Sequence, residues 1–312
     1  MTSRVLVLGG TGFVGRHVVA RLCTAGHEVL VPTRRRERGK ELLMLPTVDV
    51  VQQDVHDAKS LQALVRECGV IVNLVGILHE RGRDTFARAH VELARKLVAA
   101  CQGARVDRLV HMSALTAASD APSRYLRSKG QAQAIVEQSG LKWTVFRPSV
   151  VFGRGDSFLS LFAKVVRWLP VVALAAPQAR FQPIHVGDVA HCFAQSVDDD
   201  RTIGQRYDLC GPKAYTLREL VDWVAETSGH VRPIVSLGPT LSKLQARLLE
   251  LTPGKLMTRD NLASMSVPNV CSGPFPAVFG IEPVALEAIA PDYLAPAAIH
   301  SRYEAYRAHS GR

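Results

Sequence analysis

The run Gly9-Gly10-Thr11-Gly12-Phe13-Val14-Gly15 constrains this chain more than any other stretch. It stands between an apolar tetrad, Val5-Leu6-Val7-Leu8, and an amphipathic pattern that extends to Cys23. The tetrad reads as a buried strand, and the pattern after it as a helix. Strand, glycine turn and helix in that order form the unit in which backbone N–H groups and a helix N-terminus receive a pyrophosphate. The first glycine permits the turn, the second lets backbone approach phosphate, and the third lets helix and strand pack closely. Gly9, Gly12 and Gly15 fill those places with GxxGxxG spacing, one residue longer between the first two than GxGxxG. The dinucleotide contacts expected of this turn are Gly9, Thr11, Gly12, Phe13, Val14 and Gly15. An unliganded glycine turn is the alternative.

Apolar runs alternate with helical patterns through the first half. Val29–Val31, Val48–Gln52, Val70–Val75, Leu109–Met112 and Trp143–Arg147 read as strands. Gly39–Leu45, Lys59–Cys68, Phe86–Cys101 and Lys129–Ser139 read as helical. Such a series predicts an α/β fold: a doubly wound parallel sheet of Rossmann type, with ligands at the carboxyl ends of the strands. Beyond Pro148 the pattern breaks into short elements, with a helix over Asp188–Val197, which Asp188 is expected to cap, and another over Thr216–Ser228 that opens on a Thr216/Glu219 capping box. The expected organisation is a nucleotide-binding domain over 1–150, with 181–200 returning to it, and a smaller C-terminal substrate lobe from 151–180 and 205–312.

With 312 residues the chain can bury a full core, and its charge of +10 suggests anionic partners. The basic residues are scattered apart from Arg34-Arg35-Arg36 with Arg38 and Lys40, and no nucleic-acid motif accompanies them. A nucleic-acid partner is therefore excluded from the expectation. Six widely spaced cysteines without a CxxC pair favour reduced thiols, and the histidines lack metal-ligand spacing, so no metal is expected. Neither a signal-peptide pattern nor an apolar run of membrane-spanning length is present, which leads to a cytoplasmic expectation.

An acidic residue about twenty positions beyond the glycines commonly holds a ribose 2′-hydroxyl. Here Pro32-Thr33-Arg34-Arg35-Arg36 follows the second strand instead. A guanidinium offers a planar fork to a 2′-phosphate, where a carboxylate would repel it. NADP(H) is therefore the preferred cofactor and NAD(H) the alternative. Arg34 is the first choice for the phosphate, then Arg35 or Arg36; a solvated basic loop is the other reading.

Tyr125-Leu126-Arg127-Ser128-Lys129 is a YxxxK motif, and residues four apart share a helix face. Tyr125 is the expected proton donor or acceptor, and Lys129 is expected to bind the nicotinamide ribose and draw the phenol toward neutrality. With the glycine turn ahead of it, the motif resembles the short-chain dehydrogenase/reductase superfamily, in its extended or atypical branch. The resemblance implies that Asp54 and Val55 meet the adenine; capping the next helix is the alternative for Asp54. It also implies that Asn73-Leu74-Val75-Gly76 passes Leu74, Val75 and Gly76 close to the cofactor. Met112, and the exit from the sixth strand at Pro148, Ser149 and Val150, complete the implied cofactor set. The third catalytic group is a hydroxyl after the fifth strand. Ser113 is the candidate and Thr116 the substitute, because Ala114 and Leu115 occupy the positions where extended members usually carry it.

Asn73–Leu78, Ser123–Lys129 and Gly153–Leu159 carry a finer resemblance, to the subgroup of the nucleotide-binding accessory subunit of mitochondrial complex I and its bacterial relatives. The implied function is an NADP(H)-dependent oxidoreductase or epimerase-like protein acting on an unknown small molecule. The alternative is a non-catalytic, nucleotide-stabilised structural or assembly protein linked to complex I or quinone metabolism. The resemblance also implies contact with a respiratory complex and, as the alternative to a cytoplasmic place, a peripheral one at the inner membrane; a homodimer is a further expectation. The apolar segment Leu161–Val172, with Lys164 and Arg167, either packs between lobes or lies on a membrane surface. His79, Glu80, Arg83 and His111 are expected near the mouth of the site without an assigned role.

Overall fold

An unbroken apolar run is stable as a strand only where both faces of the sheet are covered. In the computed structural model, which describes residues 4–251 and 257–295, this holds for the first strand, whose four side chains are all fully buried. In chain order the elements are β1 (Val5–Leu8), α1 (Phe13–Thr24), β2 (Val29–Thr33), β3 (Val48–Gln52), α2 (Ala58–Arg66), β4 (Val70–Asn73), α3 (Leu93–Ala104), β5 (Arg108–Met112), α4 (Arg124–Glu137) and β6 (Lys142–Pro148). Then come β7 (Val151–Phe152), α5 (Leu159–Trp168), β8 (Val172–Leu174), β9 (Arg180–Phe181), β10 (Ile184–His185), α6 (Val186–Asp198), β11 (Gln205–Leu209), β12 (Tyr215–Thr216) and α7 (Leu217–Thr227). The last are β13 (Ile234–Ser236), α8 (Pro239–Leu249), α9 (Arg259–Ser264), α10 (Leu286–Ile289) and α11 (Pro291–Leu294).

The chain divides into two compact units. The first holds the residues up to Ser149 with Val186–Leu209 and Cys271–Glu282. Its seven strands form one parallel sheet in the order β11-β6-β5-β4-β1-β2-β3. Strand order reverses between β1 and β4, which is where such sheets open a crevice at the strands' carboxyl ends. The fold is the expected doubly wound Rossmann-type α/β fold. One face of the sheet is covered by α2 and α3, whose Leu61, Val65, Leu93, Leu97 and Cys101 pack against Leu6, Leu8 and Ile71. Burial of each such aliphatic side chain stabilises the fold by about 1.5–3 kcal/mol.

Inside this unit Arg108 is 6% exposed, yet its guanidinium donates to the Lys142 and Ser196 carbonyls and to the Thr144 and Thr202 hydroxyls. It ties β5 to β6 and to the turn after α6. Burial draws its pKa down, and the oxygen acceptors compensate the buried charge.

The second unit holds Val150–His185, Cys210–Val270 and the residues from Pro283 on. The ribbons β7–β10, β9–β12 and β8–β13 frame its core of Phe152, Leu159, Val166, Leu220 and Val224. Thr216 and Glu219 form the expected capping box. Asp156, nearly buried, accepts from Tyr293 Oη at 2.8 Å and from the Ser160 N–H at 3.2 Å, which fixes the Gly153–Leu159 loop. The parts of the expected C-terminal lobe at 252–256 and 296–312 lie outside the described residues.

Several local expectations are corrected. The stretch 39–45 is not an α-helix: the 3-10 turn Arg36–Gly39 ends at its first residue and a second, Leu42–Met44, lies within it. The helix expected over Phe86–Cys101 opens as a π turn over Ala87–Glu92 before α3. Asp188 lies inside α6, in its first turn. Cys23, Cys68, Cys101 and Cys192 are free thiols, but Cys210 and Cys271 are disulfide-bonded, against the expectation of reduced cysteines throughout.

Candidate functional site

The glycine turn lies at the carboxyl end of β1. Gly9 has φ +80°, a left-handed conformation that favours glycine, and a Cβ there would approach the Leu74 carbonyl carbon to 3.0 Å. A Cβ on Gly15 would fall 2.2 Å from the Gly9 carbonyl oxygen and 2.7 Å from Gly10 Cα. Only bare backbone fits this cradle. Gly12 N-caps α1 and leaves the first-turn N–H groups without a side-chain cap. Those N–H groups and the helix dipole suit an anion, so Thr11, Gly12, Phe13 and Val14 can hold a pyrophosphate.

Thr33 ends β2 and the arginines follow, all exposed. Gly39 in the next turn would place a Cβ 3.7 Å from Thr11 Cγ2, and Arg16 on α1 pairs with Glu41 at 2.8 Å, so the basic segment is tied beside the glycine turn. Arg34 donates to both oxygens of Asp84, at 3.0 and 3.3 Å. That bond raises the Arg34 pKa and holds the Asp84 carboxyl below its ordinary range. Arg88 lies 3.9 Å from both Asp84 and Asp54. Arg35 and Arg36 extend along the same exposed loop.

Asp54 accepts from the His56 N–H at 3.0 Å, and the cap of α2 is Asp57, which accepts from Ser60 N–H at 2.8 Å. The capping role considered for Asp54 thus belongs to Asp57, and Asp54 is left beside Val55 at the carboxyl end of β3. Leu74 and Val75 meet the space over Gly9, with Val75 N–H donating to Asn73 Oδ1 at 3.2 Å.

Lys129 and Tyr125 stand one turn apart on α4, whose N-cap Ser123 accepts from Leu126 N–H at 3.1 Å. The Lys129 ammonium, 3% exposed, donates to the Met112 carbonyl at 3.0 Å, and a Cβ on Gly76 would come within 3.2 Å of it. Burial draws its pKa down to about 8. Burial pushes the partly buried Tyr125 phenol up to about 12, opposite to the pull expected from Lys129. The Tyr125 ring meets Phe86 and His90 edge-on, at centroid distances of 5.9 and 5.8 Å.

Sequence reasoning missed His90, which the π turn carries. Ile77 N–H donates to His90 Nε2 at 3.2 Å, so the ring proton resides on Nδ1, 2.8 Å from Ser128 Oγ. The Ser128 hydroxyl in turn donates to the Tyr125 carbonyl at 2.7 Å. This chain of bonds ties the backbone after β4 to the turn of α4 that bears Tyr125. π turns gather at functional sites, but the apolar–polar pattern of 86–101 reads as an ordinary helix, so no sequence signal marks it. Burial first, then the Lys129 charge, pushes the His90 imidazole down to about 2 and that of His111 down to about 3, so both are neutral.

His111 is 2% exposed, which corrects its placing at the mouth of the site. Its Nδ1 accepts from Asn73 Nδ2 at 3.2 Å, and its Nε2 has no hydrogen-bond partner. Ser113 Oγ is likewise buried and without a partner. Its N–H donates to the Phe146 carbonyl at 2.7 Å, so the residue continues the sheet. Ala114 and Leu115 after it are buried, while Thr116 sits in a turn at φ +65°. Glu80 pairs with Arg124 at 2.9 Å. Pro148 ends β6, and Ser149 N–H donates to the Leu209 carbonyl at 2.9 Å. Val150 opens the second unit, where its carbonyl accepts from Ile184 N–H at 2.9 Å. Among the described residues there is no cluster of His, Cys, Asp and Glu able to hold a metal ion, and no helix is long and apolar enough to cross a membrane.

The NAD(P)H-binding family matches residues 9–156. NADH dehydrogenase (ubiquinone) 1 alpha subcomplex subunit 9, mitochondrial, of Arabidopsis thaliana is 33% identical over 69% of this chain and 56% of its own length. The protein of that name from Mus musculus is 28% identical over 90% of this chain and 77% of its length. The chain thus spans little more than half of the plant relative. Among solved structures, the NADPH-dependent quinone oxidoreductase QOR2 of Escherichia coli, complexed with NADPH, superposes with a TM-score of 0.76 at 17% identity, covering 93% of this chain and 99% of that one. That likeness is one of fold. The chain carries an NAD(P)-binding Rossmann-type domain, homologous to the alpha subcomplex subunit 9 of complex I, and shares its fold with epimerase- and dehydratase-like structures.

Proposed function

We propose that this chain binds NADP(H) in preference to NAD(H) and is an oxidoreductase of the extended or atypical short-chain type. The observation that carries the proposal is the buried Lys129, one turn from Tyr125 and against Gly76, on the segment whose Leu74 and Val75 backbone closes on the Gly9 turn. The bound nucleotide supplies hydride chemistry at its nicotinamide ring. Lys129, already fixed by the Met112 carbonyl, holds ribose hydroxyls and keeps positive charge near the phenol. Tyr125 moves the proton at its Oη, and His90 and Ser128 position it from behind. Ser113 Oγ and His111 Nε2, both buried without partners, offer polar groups to the carboxamide or substrate side. Leu74, Val75, Gly76, Met112, Pro148 and Ser149 line the rest.

Arg34 recognises the 2′-phosphate by exchanging its bond to Asp84 for one to the dianion. The existing pair is half-exposed, so the exchange costs little. Arg34→Ala should weaken NADPH binding about 10–100-fold, the worth of a charge-assisted hydrogen bond, and leave NADH nearly unchanged. Equal loss for both would reject the assignment. Tyr125→Phe should keep nucleotide and lose turnover in a screen of carbonyls and quinones.

A second reading has a specific observation behind it: Ala114 and Leu115 fill the usual hydroxyl positions and are buried. On that reading the nucleotide stabilises a structural subunit, in contact with a respiratory complex as the names of the relatives suggest. NADPH binding with a raised Tm and no turnover of any substrate would favour it.

A further inference from the structure

The α8 helix is apolar on the wrong side. Ser242 and Ala246 are buried, and Gln245 Nε2 donates to the Ala173 carbonyl on β8 at 2.8 Å, so this polar side faces the unit. Leu241, Leu244 and Leu248 follow at three- and four-residue steps on the other side and are 53–58% exposed, and Leu251, just past the helix end, is 81% exposed. Residues at that spacing form one stripe, which a surface helix normally turns toward a core. More exposed apolar residues adjoin the ribbon on which α8 packs. Trp168, 77% exposed, leads with Leu169 and Val171 into β8, and Val231 and Val235 precede and join β13, its parallel partner.

The charge of this surface has one sign. No carboxylate stands between Asp156 and Asp188, or between Glu226 and Glu250, the two stretches that build it. They carry Lys164, Arg167, Arg180, Arg232, Lys243 and Arg247. Lys243 and Arg247 flank the leucine stripe along α8, and Arg167 lies 5.8 Å over the Trp168 ring. Glu250, at the end of the helix, is held by Arg259 at 2.9 Å. Leucines bordered by cations, with a tryptophan at the edge, match acyl chains beneath anionic headgroups. The exposed apolar side of the Leu161–Val172 segment is confined to Trp168–Val171, because Val166 is fully buried in the core and Phe162, Ala163 and Val165 pack against it.

We infer that α8 lies on an anionic lipid bilayer, with Leu241, Leu244 and Leu248 in the acyl boundary and Lys243, Arg247 and Arg167 on headgroup phosphates. The inference is independent of the nucleotide reading, since it uses the second unit alone. The test is flotation of the full chain with vesicles of phosphatidylcholine, alone or mixed with phosphatidylglycerol. The wild type should float with the anionic vesicles and be released by salt. A Leu241→Gln, Leu244→Gln, Leu248→Gln variant should bind roughly tenfold or more weakly, with unchanged Tm and NADPH affinity because these side chains contribute little to the fold. Lys243→Glu with Arg247→Glu should abolish the preference for anionic vesicles. Failure of the wild type to float, or equal flotation of the leucine variant, overturns the inference. So does a wild-type dimer that the leucine variant dissociates in light scattering, which would assign the face to a second copy of the chain.

Discussion

Lys129 is a positive charge held in the protein interior with one carbonyl for company. Among the described residues no charge partner offsets its burial, and its pKa falls from 10.5 to about 8. At 1.36 kcal/mol per pKa unit, this burial costs the folded state about 3 kcal/mol at neutral pH. Lys129→Met keeps an unbranched side chain, one atom shorter, and removes the charge. It also leaves the Met112 carbonyl without its donor, a loss of about 1 kcal/mol. The variant should therefore be about 2 kcal/mol more stable at pH 7, with a Tm roughly 4–8 °C higher. The pH dependence follows from linkage. Between pH 8 and 10.5 the unfolded chain binds a proton that the folded chain has released, so wild-type stability gains from this group as pH rises. The gap between variant and wild type should narrow over that window, while NADPH affinity in the variant drops about tenfold through loss of the ribose donor. Denaturant unfolding of both proteins at pH 7, 8, 9 and 10 measures the gap. A variant less stable than wild type at pH 7, or a gap that ignores pH, would refute the reasoning.

Gly15→Ala places a methyl 2.2 Å from the Gly9 carbonyl oxygen, where no rotamer relieves the clash, so NADPH and NADH affinities should both fall at least about tenfold in calorimetry. Gly103→Ala on α3, where the added Cβ meets Gln62 Nε2 at 3.6 Å, should instead raise stability by about 0.5–1 kcal/mol in urea unfolding. His90 and His111 stay neutral when folded but take protons near pH 6.5 when unfolded. Their contribution is present above that pH, and stability should fall by up to about 1.4 kcal/mol per pH unit for each as pH drops from 6.5 toward 4; a flat profile would contradict it.

The parallel sheet was legible because its strands are buried on both faces and their apolar runs end at glycine, proline or polar punctuation. The glycine cradle was legible because steric exclusion writes itself directly into residue type at Gly9 and Gly15. Tyr125 and Lys129 share a helix turn and were visible as a pair. What contacts them was not. His90 reaches Ser128 only because a π turn precedes α3, and Asp84 meets Arg34 from fifty residues away, so both depend on tertiary placement rather than periodicity. The downward pull expected on the Tyr125 phenol is opposed by its burial, which spacing does not reveal because it conveys proximity but not dielectric. The disulfide bonding of Cys210 and of Cys271 likewise carries no local signal.

Titration of the purified chain with NADPH and NADH by isothermal calorimetry tests the central claim most directly. The account predicts one NADPH bound per chain, with NADH markedly weaker. Absence of heat or of any thermal stabilisation with both nucleotides would contradict it.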